Sequence, residues 1–272
     1  MVAAVCFFSV MAVMAKRCAQ LGLSGPEITW YRSFLGLILV LSLWGFGTVR
    51  LITSQPVALI FRGVIGGLSL LCLFIAIATI PVGDAAFLNN TSPIFATIGG
   101  SLFLGEKITP VSIPALCVSL GGVYLILQPS LRATPWGALA GLASGVLAGF
   151  VIVTVRHLRR TDSSSMIFLS FSLGGLFFSS FWIGSFQPPT AVQTPWILGM
   201  SATAAAAQYL LYYSLRYSEA SEASTLGLLS PLLTALLGSF LLHEPLTSSS
   251  ILGGCLIIAG GGAVFWGRRR FG

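Results

Sequence analysis

The sequence predicts an all-α membrane protein of ten transmembrane helices, arranged as two five-helix repeats of inverted topology. Three observations predict it. Of 272 residues, 56% are hydrophobic and 8% charged, with a mean hydropathy of +0.94. A soluble domain carries roughly 25% charged residues to keep its surface wet, so the solvent of this chain is lipid. The apolar residues fall into ten runs, each near the roughly 20 residues that a helix needs to cross the hydrocarbon core. And one stretch is written twice. NNTSPIFATIGGSLFLGEK, from Asn89, and GLLSPLLTALLGSFLLHEP, from Gly227, share six of nineteen residues at an offset of 138 positions.

The runs lie near 2–22, 27–46, 59–80, 84–104, 110–128, 135–155, 165–185, 195–215, 222–242 and 248–267. Barrel strands would alternate apolar and polar residues over shorter segments. These runs do not, and a lipid-embedded backbone must close its own hydrogen bonds, so they are helices. The first fifteen residues have no basic region ahead of the apolar run and no small-residue cleavage site, so the run is expected to stay as a membrane anchor. Ser24, Pro26 and Glu27 open helix 2 with a capping hydroxyl, an early proline and an acid near the positive dipole end. Asp84 and Glu222 head helices 4 and 9, Thr109–Pro110 opens helix 5, and Asp162 to Ser165 open helix 7.

The net charge of +7 does not point to nucleic acid, because the basic residues sit in short gaps between apolar runs. With a cytoplasmic N-terminus, Arg50, Arg62, Lys107, Arg156, Arg159, Arg160, Arg216 and Arg268 to Arg270 lie on the cytoplasmic side. Lys16, Arg17 and Arg132 lie opposite, and Arg32 lies within helix 2. Ten against three places both termini in the cytoplasm. The expected location is the cytoplasmic membrane.

The repeat divides the chain into 1–130 and 131–272. Five crossings are an odd number, so the second unit enters the membrane from the opposite side. Inverted repeats of this kind mark secondary transporters, whose substrate site lies where the halves meet. Pro93 and Pro231 are equivalent across the repeat. Each removes a backbone hydrogen bond and kinks its helix, and the freed carbonyl must meet protein or a water-lined cavity. Glu106 and Glu244 end helices 4 and 9 and read as hinge caps for the helices that follow. The second half has His243 where the first has Gly105, so the closing turn of helix 9 departs from its copy.

"SPIFATIGGSLFLGEKIT" and "SPLLTALLGSFLLHEPLT", with "AKRCAQLGLSGPEITWYRS" and "AIATIPVGDAAFL", resemble the drug/metabolite transporter superfamily, in proteins with two EamA-type domains. The resemblance covers nearly the whole chain. It implies a ten-helix carrier of small metabolites, often amino acids or related compounds. It also favours a cavity-facing Lys16, which by its position alone reads either as buried in a long first helix or as touching headgroups.

Arg32 sits about a turn and a half into helix 2, as an anchor or as a lining charge. Asn89 and Asn90 precede Pro93 and have no polar counterpart in the second half. Gln208, Tyr209, Tyr212 and Tyr213 stand opposite Leu70, Leu71, Phe74 and Ile75 of the first half. An asymmetric solute requires asymmetric contacts, which favours Asn89, Asn90, Gln208, Tyr212 and Tyr213, with interhelical hydrogen bonding as the alternative for each; with Lys16, Tyr31 and Arg32 they make up the substrate-cavity candidates. Gly137, Gly141, Gly145 and Gly149 form a small-residue strip on helix 6. It suits packing within a bundle or between two copies, so a homodimer is compatible with the sequence.

No catalytic residue, metal or cofactor is expected. The five cysteines are scattered, and two histidines, His157 and His243, make no cluster. There is no phosphate-cradling GxxxxGK[ST] loop. A membrane-embedded enzyme and a non-transporting scaffold are the alternatives. The expected partners are a small-molecule substrate and the lipid bilayer, with no nucleic acid.

Overall fold

The computed structural model describes residues 2–92, 94–96, 98–99, 112–127, 135–158, 161–217, 229–244 and 246–271, with the backbone alone at some helical positions, Tyr212 and Tyr213 among them. The described residues are helical, with no strand among them. The helices are α1 (Val2–Gln20), α2 (Gly25–Gly45), α3 (Pro56–Thr79), α4 (Val82–Asn89), α5 (Ser112–Leu127), α6 (Pro135–Leu158), α7 (Ser164–Ser179), α8 (Thr194–Tyr217), α9 (Leu229–Leu242) and α10 (Ser248–Phe271). α1, α2, α3, most of α6, and α7 with the 3-10 turn Ser180–Ser185 that follows it are long and apolar enough to cross a membrane.

Local chemistry sets the ends. Ser24 and Glu27 form a reciprocal capping box at the start of α2, and Ser163 accepts from the Met166 N–H to cap α7. Pro56 begins α3 three residues before its apolar run; proline is tolerated there because that N–H has no intrahelical partner. α4 stops at Asn89, turns through Asn90 and Thr91, and the chain is helical again at Ser92. The break falls where a proline at 93 would clash with the carbonyl of residue 89. Pro93 itself, like Glu106, lies outside the described residues. His243 keeps φ at 53°, a left-handed closing turn that suits the glycine of its first-half copy better.

Polarity is distributed as lipid demands. Phe46, Val57 and Phe240 are more than three-quarters exposed, while Arg32, Arg62 and Gln208 are buried. Trp44 and Trp266 near one end of the bundle, and Trp136 and Trp182 near the other, are exposed, as expected of aromatic belts at two interfaces.

The larger contacts between first-half and second-half helices come in pairs related by exchanging each helix for the one five places along. α3 packs on α6, and α1 on α8. α3 packs on α7, and α2 on α8. α1 packs on α9, and α4 on α6. α2–α7, α4–α9 and α5–α10 are their own images. The turns between helices sort to two ends. At one, Gln193 Nε2 donates to the Leu21 carbonyl at 2.9 Å, and the Gln187 N–H donates to Glu27 at 3.3 Å, joining the α1–α2 turn to the α7–α8 segment. At the other, Asp162 accepts from Thr53 at 2.7 Å and from the Ser54 N–H at 2.9 Å, joining the α2–α3 and α6–α7 loops.

Glycines bring the central helices close. The glycine strip on α6 lies against the end of α3, α4 and the turn that follows: a Cβ on Gly141 would meet Leu88, on Gly145 the Leu88 carbonyl and Thr91, and on Gly149 the backbone of Phe95 and Ala96. A second strip, Gly63 and Gly67 on α3, faces Ser170, Gly174 and Gly175 on α7 with backbone against backbone.

Candidate functional site

Four helices from each half, α1–α4 and α6–α9, surround a cavity of about 310 Å³. Among its lining residues are Arg32, Asn89, Asn90 and Gln208, which the sequence singled out, together with Pro231. Pro231 lies in the first turn of α9 as described, beside Ser230, whose carbonyl accepts from the Ser9 hydroxyl of α1 at 3.2 Å.

Arg62 also lines the cavity. Sequence reasoning assigned it to a cytoplasmic gap; it is instead 2% exposed, in the second turn of α3. The early start of α3 at Pro56 places it there, roughly 9 Å of helix rise from the end. Without it the distribution of basic residues is nine to three and keeps its sense. One signal was available: its second-half counterpart is Met200, the asymmetry that pointed to Gln208.

Arg32, 4% exposed, and Arg62 share one aromatic ring. Their guanidinium carbons lie 5.0 and 4.7 Å from the centre of Phe171, and Arg32 is also 6.0 Å from that of Phe74. Each ring contact is worth about 0.5–2 kcal/mol. The two cations are no more than ~10 Å apart, and at an effective dielectric near 20 they repel by roughly 2 kcal/mol. The guanidinium of Arg62 folds back over Gly66, where a Cβ would meet its Nη1. Gly66→Ala is expected to leave the fold intact, since helix propensity favours alanine by about 1 kcal/mol, yet to displace Arg62. Unchanged thermal stability with at least a tenfold loss of transport would be the result.

The amides take two roles. Asn89 Nδ2 donates to Ser144 Oγ at 3.0 Å, and Ser69 Oγ to the Ser144 carbonyl at 3.0 Å, so both tie their helices to α6. Asn90 Nδ2 is shielded from solvent and meets no acceptor among the described residues. Gln208 is 7% exposed, on the α8 wall.

Lys16 and Tyr31 are placed elsewhere. Lys16 Nζ donates to the Ile80 carbonyl at 2.7 Å and lies 3.4 Å from Glu244 Oε1. Glu244 Oε2 accepts from the Val82 N–H at 2.8 Å. It thus takes a backbone N–H at the start of α4, across the repeat, rather than at the helix that follows it. Asp84 and Ser250 stand beside this group. The cluster ties α1 and the α3–α4 junction to the end of α9. Tyr31 reaches the Gln187 carbonyl at 3.3 Å, at the same end of the bundle. The side chains of Tyr212 and Tyr213 lie outside the described residues. Among those residues no group of three metal-ligating side chains converges.

The described site is a largely apolar cavity set with a few guanidinium and amide donors, its volume at the lower end of the roughly 300–1,000 Å³ range of ligand pockets. That arrangement can bind and orient a small polar solute.

Known proteins share the pattern. The model of the EamA-like transporter family matches residues 1–128 and again 135–266. The chain is similar to the pseudopaline exporter CntI of Pseudomonas aeruginosa, 30% identical over 254 residues that cover 92% of this chain and 89% of the exporter. It is similar to a riboflavin transporter of Rhizobium johnstonii, 27% identical over 206 residues that cover 74% of this chain and 66% of that protein. A solved crystal structure, 19% identical and covering 99% of both chains, superposes with a TM-score of 0.65; the likeness is one of fold.

Proposed function

This chain belongs to the EamA-like transporter family, and we propose that it is a secondary carrier. It moves a small metabolite, such as an amino acid or a related solute, across the cytoplasmic membrane by alternating access of two inverted repeats, 1–130 and 131–272. The substrate occupies the central cavity, and both termini lie in the cytoplasm.

The observation that carries this reading is the cavity itself, a void walled by four helices from each half and lined with buried polar groups. Charged and amide side chains within a membrane bundle are costly and mark solute pathways. Two further observations support it. The larger contacts between the halves keep their pattern when the halves are exchanged. And the equivalent turns α1–α2 and α6–α7 are bonded to segments at opposite ends of the bundle, as inversion requires. Two relatives are each named as a transporter of one compound, which favours a carrier over a membrane-embedded enzyme or a scaffold.

Solute counterflow in proteoliposomes tests the reading. A labelled solute from a metabolite panel is expected to exchange, and Gln208→Ala is expected to slow it at least tenfold with the fold retained. A chemically altered product, with no solute moved, would replace the carrier by an enzyme.

A further inference from the structure

On the carrier reading, we infer that Lys16 and Glu244 are gating residues. They latch the end of the cavity that faces outward when both termini are cytoplasmic, and the carrier rests with that end closed. The place of the pair over the cavity carries the inference. α1 lines the void with Ala12, α3 with Ile77 and α4 with Ala86. Lys16, Ile80 and Val82 lie three or four residues from these, on the same helices or at their ends, about one turn or 5 Å of rise further along. There Lys16 Nζ reaches the Ile80 carbonyl at 2.7 Å and Glu244 Oε1 at 3.4 Å, and Glu244 Oε2 accepts from the Val82 N–H at 2.8 Å. One carboxylate of the second half thus holds an ammonium and a helix head of the first half over the void. Packing backs the closure: a Cβ on Gly83 would meet Ala235, and one on Gly238 would meet Val82. Opening this end to a solute requires α4 to part from α9, and that breaks both bonds of Glu244.

The latch is one-sided. Inverted-repeat carriers open one end by the movement that closes the other, so the opposite end is built from the equivalent positions. The sequence copies most of the cluster there: Glu106 stands for Glu244, Glu222 for Asp84 and Ser112 for Ser250. Glu106 and Glu222 themselves lie outside the described residues. The cation is not copied. The position equivalent to Lys16 is Thr154, whose hydroxyl donates to the Phe150 carbonyl one turn back, at 2.9 Å. A bond made in one closed state and missing from the other shifts the balance between them toward the first. The outward-closed form is therefore the resting one.

The test uses the full-length protein in intact cells. Ala12→Cys in a cysteine-free background reports on the cavity, and a membrane-impermeant methanethiosulfonate is the reagent. With the latch intact, labelling from outside is expected to be slow. Glu244→Gln and Lys16→Gln, the latter keeping a donor for the Ile80 carbonyl, are each expected to speed it at least tenfold. Lys16→Arg keeps the charge and the slow rate, and Arg17→Gln, at an exposed position, leaves the rate unchanged. Should the glutamine variants fail to fold, Thr154→Lys leaves both latch groups in place and strengthens closure of the opposite end, so it is expected to speed outside labelling in the same way. Labelling indifferent to these substitutions, or already as fast with the latch intact, overturns the inference; where solute counterflow persists, the carrier reading stands. If no solute of the metabolite panel exchanges either, that result counts against the carrier reading as well.

Discussion

Gly174→Ala is expected to destabilise the fold strongly, although it adds a single methyl group. A Cβ at that position would fall on the carbonyl and carbon of Gly63, backbone atoms with no rotamer by which to withdraw. Gly67, one turn along α3, meets the backbone of Gly174 in the same way. Helices that approach this closely gain through packing and backbone contact, the chief forces between helices in lipid. The substitution forces α3 and α7 apart along their length. Overpacking a well-filled core costs typically 1–3 kcal/mol. Here the obstruction is backbone, so the loss is expected at or above about 3 kcal/mol. The consequence reaches the site, because Arg62 rides on α3 and Phe171 on α7. Gly121→Ala is the control: nothing lies within 4 Å of the added atom, and a helical alanine is favoured over glycine by about 1 kcal/mol. Size-exclusion profiles and unfolding midpoints of the two variants should therefore move in opposite directions. Equal behaviour would mean that α3 and α7 do not meet as described.

Glu244→Gln is expected to produce the second largest effect, since it removes two interactions at once. Lys16 loses its counter-charge at 3.4 Å, and the Val82 N–H at the head of α4 loses a charged acceptor at 2.8 Å. Breaking a fully buried pair costs about 3–5 kcal/mol and an exposed one about 0–1. Both side chains here are 12% exposed, so a loss of roughly 2 kcal/mol is expected. Lys16→Met should cost a similar amount. The double variant should cost clearly less than the two losses added together, because the second change removes a charge already without its partner. Additive losses would show that Lys16 and Glu244 act separately. Since this cluster joins helices of both halves, the same variants are expected to slow transport without altering which solute is carried.

Much of this architecture was legible because lipid simplifies the reading. A spanning segment must close its own hydrogen bonds, so the apolar runs, proline punctuation and capping serines located most helices to within a few residues. The small-residue strip on α6 was legible for the same reason. Gly63, Gly67 and Gly174 were not, because their spacing shows only when two helices are laid together. Arg62 was hidden by its neighbourhood: close to the apparent edge of an apolar run, it read as an orientation signal. Only the helix start at Pro56 places it inside. Lys16 and Glu244 read as unrelated in the sequence, since nothing local links residues so far apart. The cavity residues legible beforehand, Gln208, Asn90 and Arg32, were those whose polarity had no local structural use.

The central claim is that two similar halves lie upside down with respect to each other around a polar cavity. Single cysteines in a cysteine-free background, exposed to a membrane-impermeant maleimide on intact cells, test it most directly. Gln20→Cys and Ala191→Cys should react from outside, while Ser54→Cys and Thr161→Cys should react only after the membrane is opened. Reaction of Gln20→Cys and Thr161→Cys from the same face would place equivalent turns on one side of the membrane and contradict the account.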